Sequence, residues 1–233
     1  MNKFLRSNGQ KLLSAFIFVI FAFAVQTQAQ VVNEILNKVE AHRKALSTLR
    51  ADITMGKYNP DLNEWTYSKG KVMLVAKTNT IKDALLKIDW KEPREEILSI
   101  VKGKYVAYTP GLKQAYTGEA TANEAQKKGG NALSFLTMSK AELTANYTGK
   151  YLGEEKLDGG VPTWHLTFVP KAASKYKSAD IWVDGNGMIL QVKIVPASGD
   201  ETNVRLANLE KNISLNTSQF VVNLPKDTKI IKG

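Results

Sequence analysis

The chain has no cysteine among its 233 residues. That absence excludes disulfides, a thiol nucleophile and a thiolate metal site. Bacterial lipid anchors are built on a cysteine directly after the signal segment, so no acyl anchor of its own is expected either. Histidine is almost as scarce, with only His42 and His165. His165 alternates with Trp164 and Leu166 in a strand pattern and so faces away from their side, where a histidine is a bystander. HExxH, DxDxDG and GxSxG patterns are all missing. Ser-x-x-Lys occurs at Ser68/Lys71, Ser99/Lys102 and Ser174/Lys177, and its recurrence in a lysine-rich chain without a KTG partner marks it as chance. Gly185-x-Gly187 lies between two strand patterns, which excludes a dinucleotide loop. Glu92, Glu95 and Glu96, like Glu154 and Glu155, stand among lysines and turn residues and read as solvated surface. No catalytic constellation can be assembled, so the chain reads as a non-enzyme without metal or cofactor.

Long apolar runs are also scarce. The one candidate, Leu12 to Val25, is 14 residues long, follows Lys3, Arg6 and Lys11, and ends in TQAQ. It is shorter than the roughly 18 to 20 residues that span a bilayer as a helix. With Thr27 and Ala29 at the positions read by signal peptidase, residues 1–29 read as a cleaved signal peptide. The mature part, residues 30–233, is expected to be an exported, soluble, single domain. Without the three cations of the leader, 29 basic residues face 22 acidic ones, a net charge of +7. The cations are scattered singly, which argues against a nucleic-acid stripe.

What is present is periodic. VVNEILNKVEAHRKALSTL puts Val32, Ile35, Leu36, Val39 and Leu46 on one helical face. From Arg50 the period becomes two, and short strand patterns follow in WTYSKGKVMLVAK, ALLKIDW, EEILSIV, KYVAYTP and LKQAYTG, separated by turn residues. The polar stretch 118–131 reads as a loop. NALSFLTMSKAELTANY then regains helical spacing in two pieces, with Ser139 as N-cap of the second. Strands resume in KYLGEEKL, PTWHLTFVP, SADIWVD, MILQVKIV and TNVRLANLEKN, and FVVNLPKDTKII is the tail. Asp-Gly-Asn-Gly between Val183 and Met188 makes a hairpin turn. Met188, Leu190, Val192 and Ile194 point to one side of its second strand. The pattern predicts a mainly β fold with a few helices. Roughly ten antiparallel strands should curl into an incomplete, half-open barrel lidded by the helices.

Apolar and aromatic side chains recur on these strands, among them Trp65 and Tyr108. The candidate wall of a hydrophobic cavity comprises Leu74, Leu86, Ile88, Trp90, Tyr105, Trp164, Leu166, Phe168, Ile181, Met188, Leu190 and Val192, with Leu133, Phe135 and Leu136 contributed by the lid. An exported half-barrel without catalytic groups is suited to an apolar ligand held at its mouth.

The ordered features extend over nearly all of the mature chain. An opening helix runs into LRADIT, followed by Gly70 in GKVMLVAK, by Trp90 and Pro93, by Gly103-Lys104-Tyr105 with Tyr108 and Pro110, by LSFL, by Trp164-His165-Leu166 through Pro170, and by the ending F220VVNLPKDTKII. In this order and spacing the chain resembles the LolA-type carriers of outer-membrane lipoproteins. The resemblance implies an incomplete barrel whose cavity takes the acyl chains of lipoproteins crossing the periplasm. It implies no cofactor. As partners it implies acylated lipoproteins, an inner-membrane ABC exporter and an outer-membrane receptor, and the carrier would act as a monomer. The missing cysteine favours the soluble carrier over the related receptor, itself a lipoprotein. One departure stands out: where the family often has Lys-Arg-Pro, with an arginine that latches the lid, this chain has Ala76-Lys77-Thr78. Lys77 lacks the guanidinium's fork of donors. The alternative reading is a lipid- or lipoprotein-sensing regulatory module of the envelope, or a carrier of another lipid.

Overall fold

The computed structural model describes residues 28–75, 85–120, 132, 134–174 and 176–232. Most of the expected signal segment, lid residue Leu133, most of the loop 118–131 and the Ala76-Lys77-Thr78 stretch lie outside them.

The strands are β1 (Thr48–Asn59), β2 (Glu64–Val75), β3 (Leu85–Glu92), β4 (Glu96–Val101), β5 (Lys104–Thr109), β6 (Gln114–Glu119), β7 (Tyr147–Leu157), β8 (Val161–Pro170), β9 (Tyr176–Val183), β10 (Ile189–Pro196), β11 (Thr202–Lys211) and β12 (Lys229–Lys232). They form one sheet in the order β12-β6-β5-β4-β3-β2-β1-β11-β10-β9-β8-β7. The two ends of this order do not pair, so the sheet is open, as the half-barrel reading requires. It is larger than the ten strands expected, and it is not wholly antiparallel. The tail adds β12 to β6 in parallel, Lys229 opposite Gln114. The tail reaches β6 by crossing the sheet's outer face. There the Lys87 ammonium donates to the Gln219 carbonyl at 3.0 Å and the Ser99 hydroxyl to the Phe220 carbonyl at 2.5 Å. Phe220 is fully buried, which anchors the tail before it reaches β6.

Turns follow their chemistry. At the β1–β2 turn the Asn59 side chain accepts from the Asp61 amide, and Asn63 takes a left-handed φ of 50°. At the β9–β10 turn the Asp184 carboxylate accepts from the Asn186 and Met188 amides at 2.9 and 2.8 Å, and Gly187 supplies a φ of 87°. This is the side-chain-to-backbone bonding that makes Asp a turn former.

Two helices cover the sheet's inner face. The first, α1, spans residues 28–45 and buries Val32, Ile35, Leu36 and Val39. These are four of the five residues read from its periodicity, and Leu46 packs half-buried beside them. The second, α2 (Lys140–Asn146), starts at Ser139, whose hydroxyl accepts from the Glu142 amide while the Glu142 carboxylate accepts from the Ser139 amide. That reciprocal box satisfies two of the donors a helix start leaves open. Just before it, Ser134 and Phe135 form a further piece of helix. No helix among the described residues is long and apolar enough to cross a membrane.

Candidate functional site

Strand alternation assigns the inner face. In the middle of the sheet Leu49, Ala51 and Ile53 point inward from β1. Ladder pairing then carries one row outward from Ala51 through Val72, Ile88, Leu98 and Ala107, and a second from Leu49 through Leu74, Leu86, Ile100 and Tyr105. On the other flank Leu166, Ile181, Val192 and Val204 form a row across β8 to β11, with Phe168 and Ala179 beside it. Apart from half-buried Leu74 and Leu86, every residue in these rows is buried. The result is a continuous apolar floor.

The sequence-predicted wall maps onto this floor and its cover. Ile88, Trp90, Tyr105, Leu166, Phe168, Ile181, Met188, Leu190 and Val192 are buried, and so is Phe135 from the cover. Leu74, Leu86, Leu136 and Trp164 are half-buried against the same core. A register shift in the β9–β10 ladder between Ile189 and Gln191 buries Ile189 along with Leu190. Trp65 and Tyr108 belong elsewhere. Trp65 lies half-exposed between Tyr58 and Tyr67 on the outer face of the β1–β2 hairpin. Tyr108 is buried on the outer face of β5, the side crossed by the tail.

Val72, Leu98 and Ile100 are floor residues that the reading of the sequence did not single out, although their alternation with Leu74 and with each other was visible. Tyr147, taken into the second helical piece but opening β7, and Tyr176, opening β9, also pack half-buried against this core. Tyr176 follows a register shift, Val195 facing Ser178 but Pro196 facing Tyr176, and such a bulge turns a side chain to the face that simple alternation denies it.

The cover is seated in two ways. Helix α1 approaches the sheet closely where glycine allows it. A Cβ on Gly187 would stand 2.3 Å from the Lys38 carbonyl oxygen, and one on Gly149 would stand 3.2 Å from Val32 and 2.9 Å from Phe168. The Lys38 ammonium sits 4.7 Å from the Trp164 ring centroid, a cation–π contact. Helix α2 is tied to α1 by polar groups. The Lys140 ammonium donates to the Asn33 and Asn37 side-chain oxygens at 2.5 and 2.6 Å, and its amide to the Glu40 carboxylate at 3.2 Å. Glu40 also receives two Arg43 N–H groups, at 2.9 and 3.0 Å. The Arg43 hydrogen bonds foremost, with the Lys140 amide and the charges of Arg43 and Lys44, hold its carboxyl at about 2 against the opposing effect of burial.

The histidines lie off the floor. His165 stacks on Trp182 at 4.2 Å on the outer face, with Nδ1 3.0 Å from the Glu155 carboxylate, which also accepts from the Trp182 indole at 2.9 Å. His42 is in α1, where burial lowers its pKa most and Lys211 adds to the effect, against the opposing pull of Asp184 and the Asn186 backbone. No group of three or more acidic or histidine side chains suited to a metal ion occurs among the described residues. Chemically, the inner face offers apolar contact area beneath a cover, with hydroxyls at one end.

Comparison with known proteins gives the same architecture. Residues 77–223 match the family model described as "Outer membrane lipoprotein carrier protein LolA". No curated protein matches the chain. Among solved structures, an uncharacterized conserved protein from Thermus thermophilus superposes with a TM-score of 0.55 at 13% identity, covering 87% of this chain and 99% of that one. MucB, known from Pseudomonas aeruginosa, gives a TM-score of 0.54 at 11% identity, over 82% of this chain and 62% of its own. The lipoprotein LppX from Mycobacterium tuberculosis gives 0.47 at 12% identity, over 79% and 98%. At these identities the first two show a shared fold.

Proposed function

Because the chain belongs to the LolA family of outer-membrane lipoprotein carriers, whose members are binding and carrier proteins, we propose that it carries lipoproteins between membranes by holding their acyl chains on the inner face of the sheet. The observation that supports this most is the unbroken apolar floor under a cover whose second helix is tied by side-chain hydrogen bonds centred on Lys140. Parting α2 from α1 exchanges a few polar contacts for water and uncovers Phe135 and Leu143, which are buried in the core. Each exposed tie contributes well under about 1 kcal/mol. Acyl chains then replace the cover's own apolar side chains over the floor, at about 25 cal/mol per Å² of surface kept from water.

The carrier works in the periplasm after export through the leader 1–29, as a monomer of one domain. It is loaded by an inner-membrane ABC exporter and unloads at an outer-membrane receptor. The cargo contacts are Leu74, Leu86, Ile88, Trp90, Tyr105, Trp164, Leu166, Phe168, Ile181, Met188, Leu190 and Val192 from the sheet and Phe135 and Leu136 from the cover, with Leu133 added from the sequence pattern alone.

The test is extraction. The purified chain is mixed with vesicles containing a triacylated cysteinyl peptide, and the peptide released with the protein into the supernatant is quantified. Stoichiometric release is expected. Leu74→Asn with Leu86→Asn, at two half-buried facing positions, should cut it at least tenfold while the variant stays folded. No release by the unmodified chain would defeat the reading.

A further inference from the structure

One end of the inner face is not apolar. Tyr147 opens β7 and Tyr176 opens β9, and both are half-buried against the core. The extra residue in the β9–β10 ladder swings Tyr176 inward, so that its ring stacks beside that of Tyr147 at 6.3 Å and their hydroxyls touch. Phe135 of the cover closes over both rings, at 5.3 Å from Tyr147 and 6.2 Å from Tyr176, and Phe168 meets the Tyr147 ring edge-on at 6.4 Å. Exposed Ser174 accepts the Tyr176 backbone N–H on its hydroxyl oxygen at 3.4 Å, outside this pair.

Proton counting leaves this pair a donor. Two hydroxyls joined by one contact hold two protons and spend one, so one O–H is left over. Burial foremost, then the hydrogen bond to Tyr147, push the Tyr176 pKa far above the ordinary phenol value, while Ser174 pulls it the other way. The rise that the Tyr147 bond adds fits Tyr176 donating to Tyr147 across their contact. The unspent donor is then the Tyr147 hydroxyl, enclosed by Phe135 and Phe168. An apolar site with one convergent donor is built to orient a mostly apolar ligand by its single acceptor, and an unmade hydrogen bond in such a place is unfavourable.

We propose that the Tyr147 hydroxyl, backed by Tyr176, is a ligand-binding group that donates to the ester carbonyl of an acyl-glycerol moiety whose chains lie along the apolar floor. This rests on the acyl-carrier reading and adds to it a preference for linkage chemistry. It also orients the cargo, with the glycerol end under Phe135 and the chains running toward the Leu166–Ile181–Val192 row. A diacylglyceryl group occurs both in free phospholipid and on acylated cysteine, and the same carbonyl serves for either source.

The experiment compares a diester phospholipid with its diether analogue of identical chain length, each presented in vesicles to the full chain, with lipid carried into the supernatant as readout. A net neutral hydrogen bond predicts that the diester is held about three- to tenfold more tightly. Tyr147→Phe, which keeps the ring and its packing, should bring the ratio to about one by weakening the diester alone, and Tyr176→Phe should lower it part way. A triacylated cysteinyl peptide as competitor identifies the source. Tyr147-dependent preference for the peptide assigns lipoprotein, and the reverse assigns free lipid. Equal holding of diester and diether by the unmodified chain overturns the proposal but leaves acyl carriage standing, as does a preference that survives in Tyr147→Phe. Failure to hold either lipid or the peptide overturns carriage itself and this proposal with it.

Discussion

Gly187→Ala tests whether α1 is seated on the β9–β10 turn by backbone contact. Two effects add. Gly187 has a φ of 87°, a left-handed conformation that costs an alanine roughly 1–2 kcal/mol. The new methyl would also lie 2.3 Å from the Lys38 carbonyl oxygen and 2.4 Å from its carbon, so helix and turn must part by roughly 1 Å to regain ordinary contact. The turn cannot yield alone, because the Asp184 carboxylate holds the Asn186 and Met188 amides. The helix cannot yield without lifting Val39, buried beside Met188 in the same core. Overpacking of this kind costs about 1–3 kcal/mol, giving a combined destabilisation of roughly 2–5 kcal/mol. For a chain of this size, at about 2–4 °C per kcal/mol, the midpoint of thermal unfolding should fall by about 4 to 20 °C. Gly185→Ala is the internal control. It sits in the same turn, is exposed and would meet nothing within 4 Å, so its effect should stay within about 0.5 kcal/mol. Calorimetry of the two variants, with hydrogen exchange across residues 28–45, decides the matter. If Gly187→Ala melts within about 2 °C of Gly185→Ala and exchange in α1 is unchanged, the helix is not seated on the turn and the reasoning fails.

Ser99→Ala removes the donor to the Phe220 carbonyl in a buried setting and should destabilise the chain by about 1–3 kcal/mol in denaturant titration. A change below about 0.5 kcal/mol would show that the tail's crossing does not depend on that bond. Glu40 has its folded-state pKa lowered from 4.5 to about 2, so its contribution to stability is fully present above about pH 4.5 and is lost as pH falls toward 2. Glu40→Gln should therefore flatten the decline of the melting temperature between pH 5 and 2.5 relative to the unmodified chain, and parallel pH profiles would contradict that assignment.

The helices and nearly all strands were legible because their signals are local. The α1 stripe Val32, Ile35, Leu36 and Val39 follows the 3.6-residue period, Ser139 and Glu142 spell a capping box, and the Asp184–Gly187 turn has the residues its backbone demands. The tail was not legible. KIIK reads only as part of the tail, and nothing in four residues says that they form a strand in parallel with β6, beyond the buried Phe220. The site divides in the same way. Ile88, Leu166, Ile181 and Val192 follow from alternation and lie on the floor. Tyr176 does not, because an inserted residue in one strand reverses the inward–outward sense and becomes visible only when Pro196 is seen opposite it.

The cover's two helices are held by different physics, and that difference bears on where it can open. From Lys38 onward α1 is fixed by backbone contact with Gly187 and by the Lys38–Trp164 pair. Separating these means unpacking buried surface, at about 1.5–3 kcal/mol for each large apolar side chain exposed. Along another face of α1 the contact with α2 runs through Asn33, Asn37 and Glu40 to Lys140. Water can replace each of those partners, and the net change per exposed bond is well under about 1 kcal/mol. Opening is therefore least unfavourable at the α2 end, with the Gly187 seat as the fixed point. That is the end where Phe135 covers Tyr147 and Tyr176. The weakest part of the cover and the polar end of the floor coincide, which is the arrangement an acyl carrier needs: chains slide in along an apolar surface, and their one polar linkage stops at the mouth.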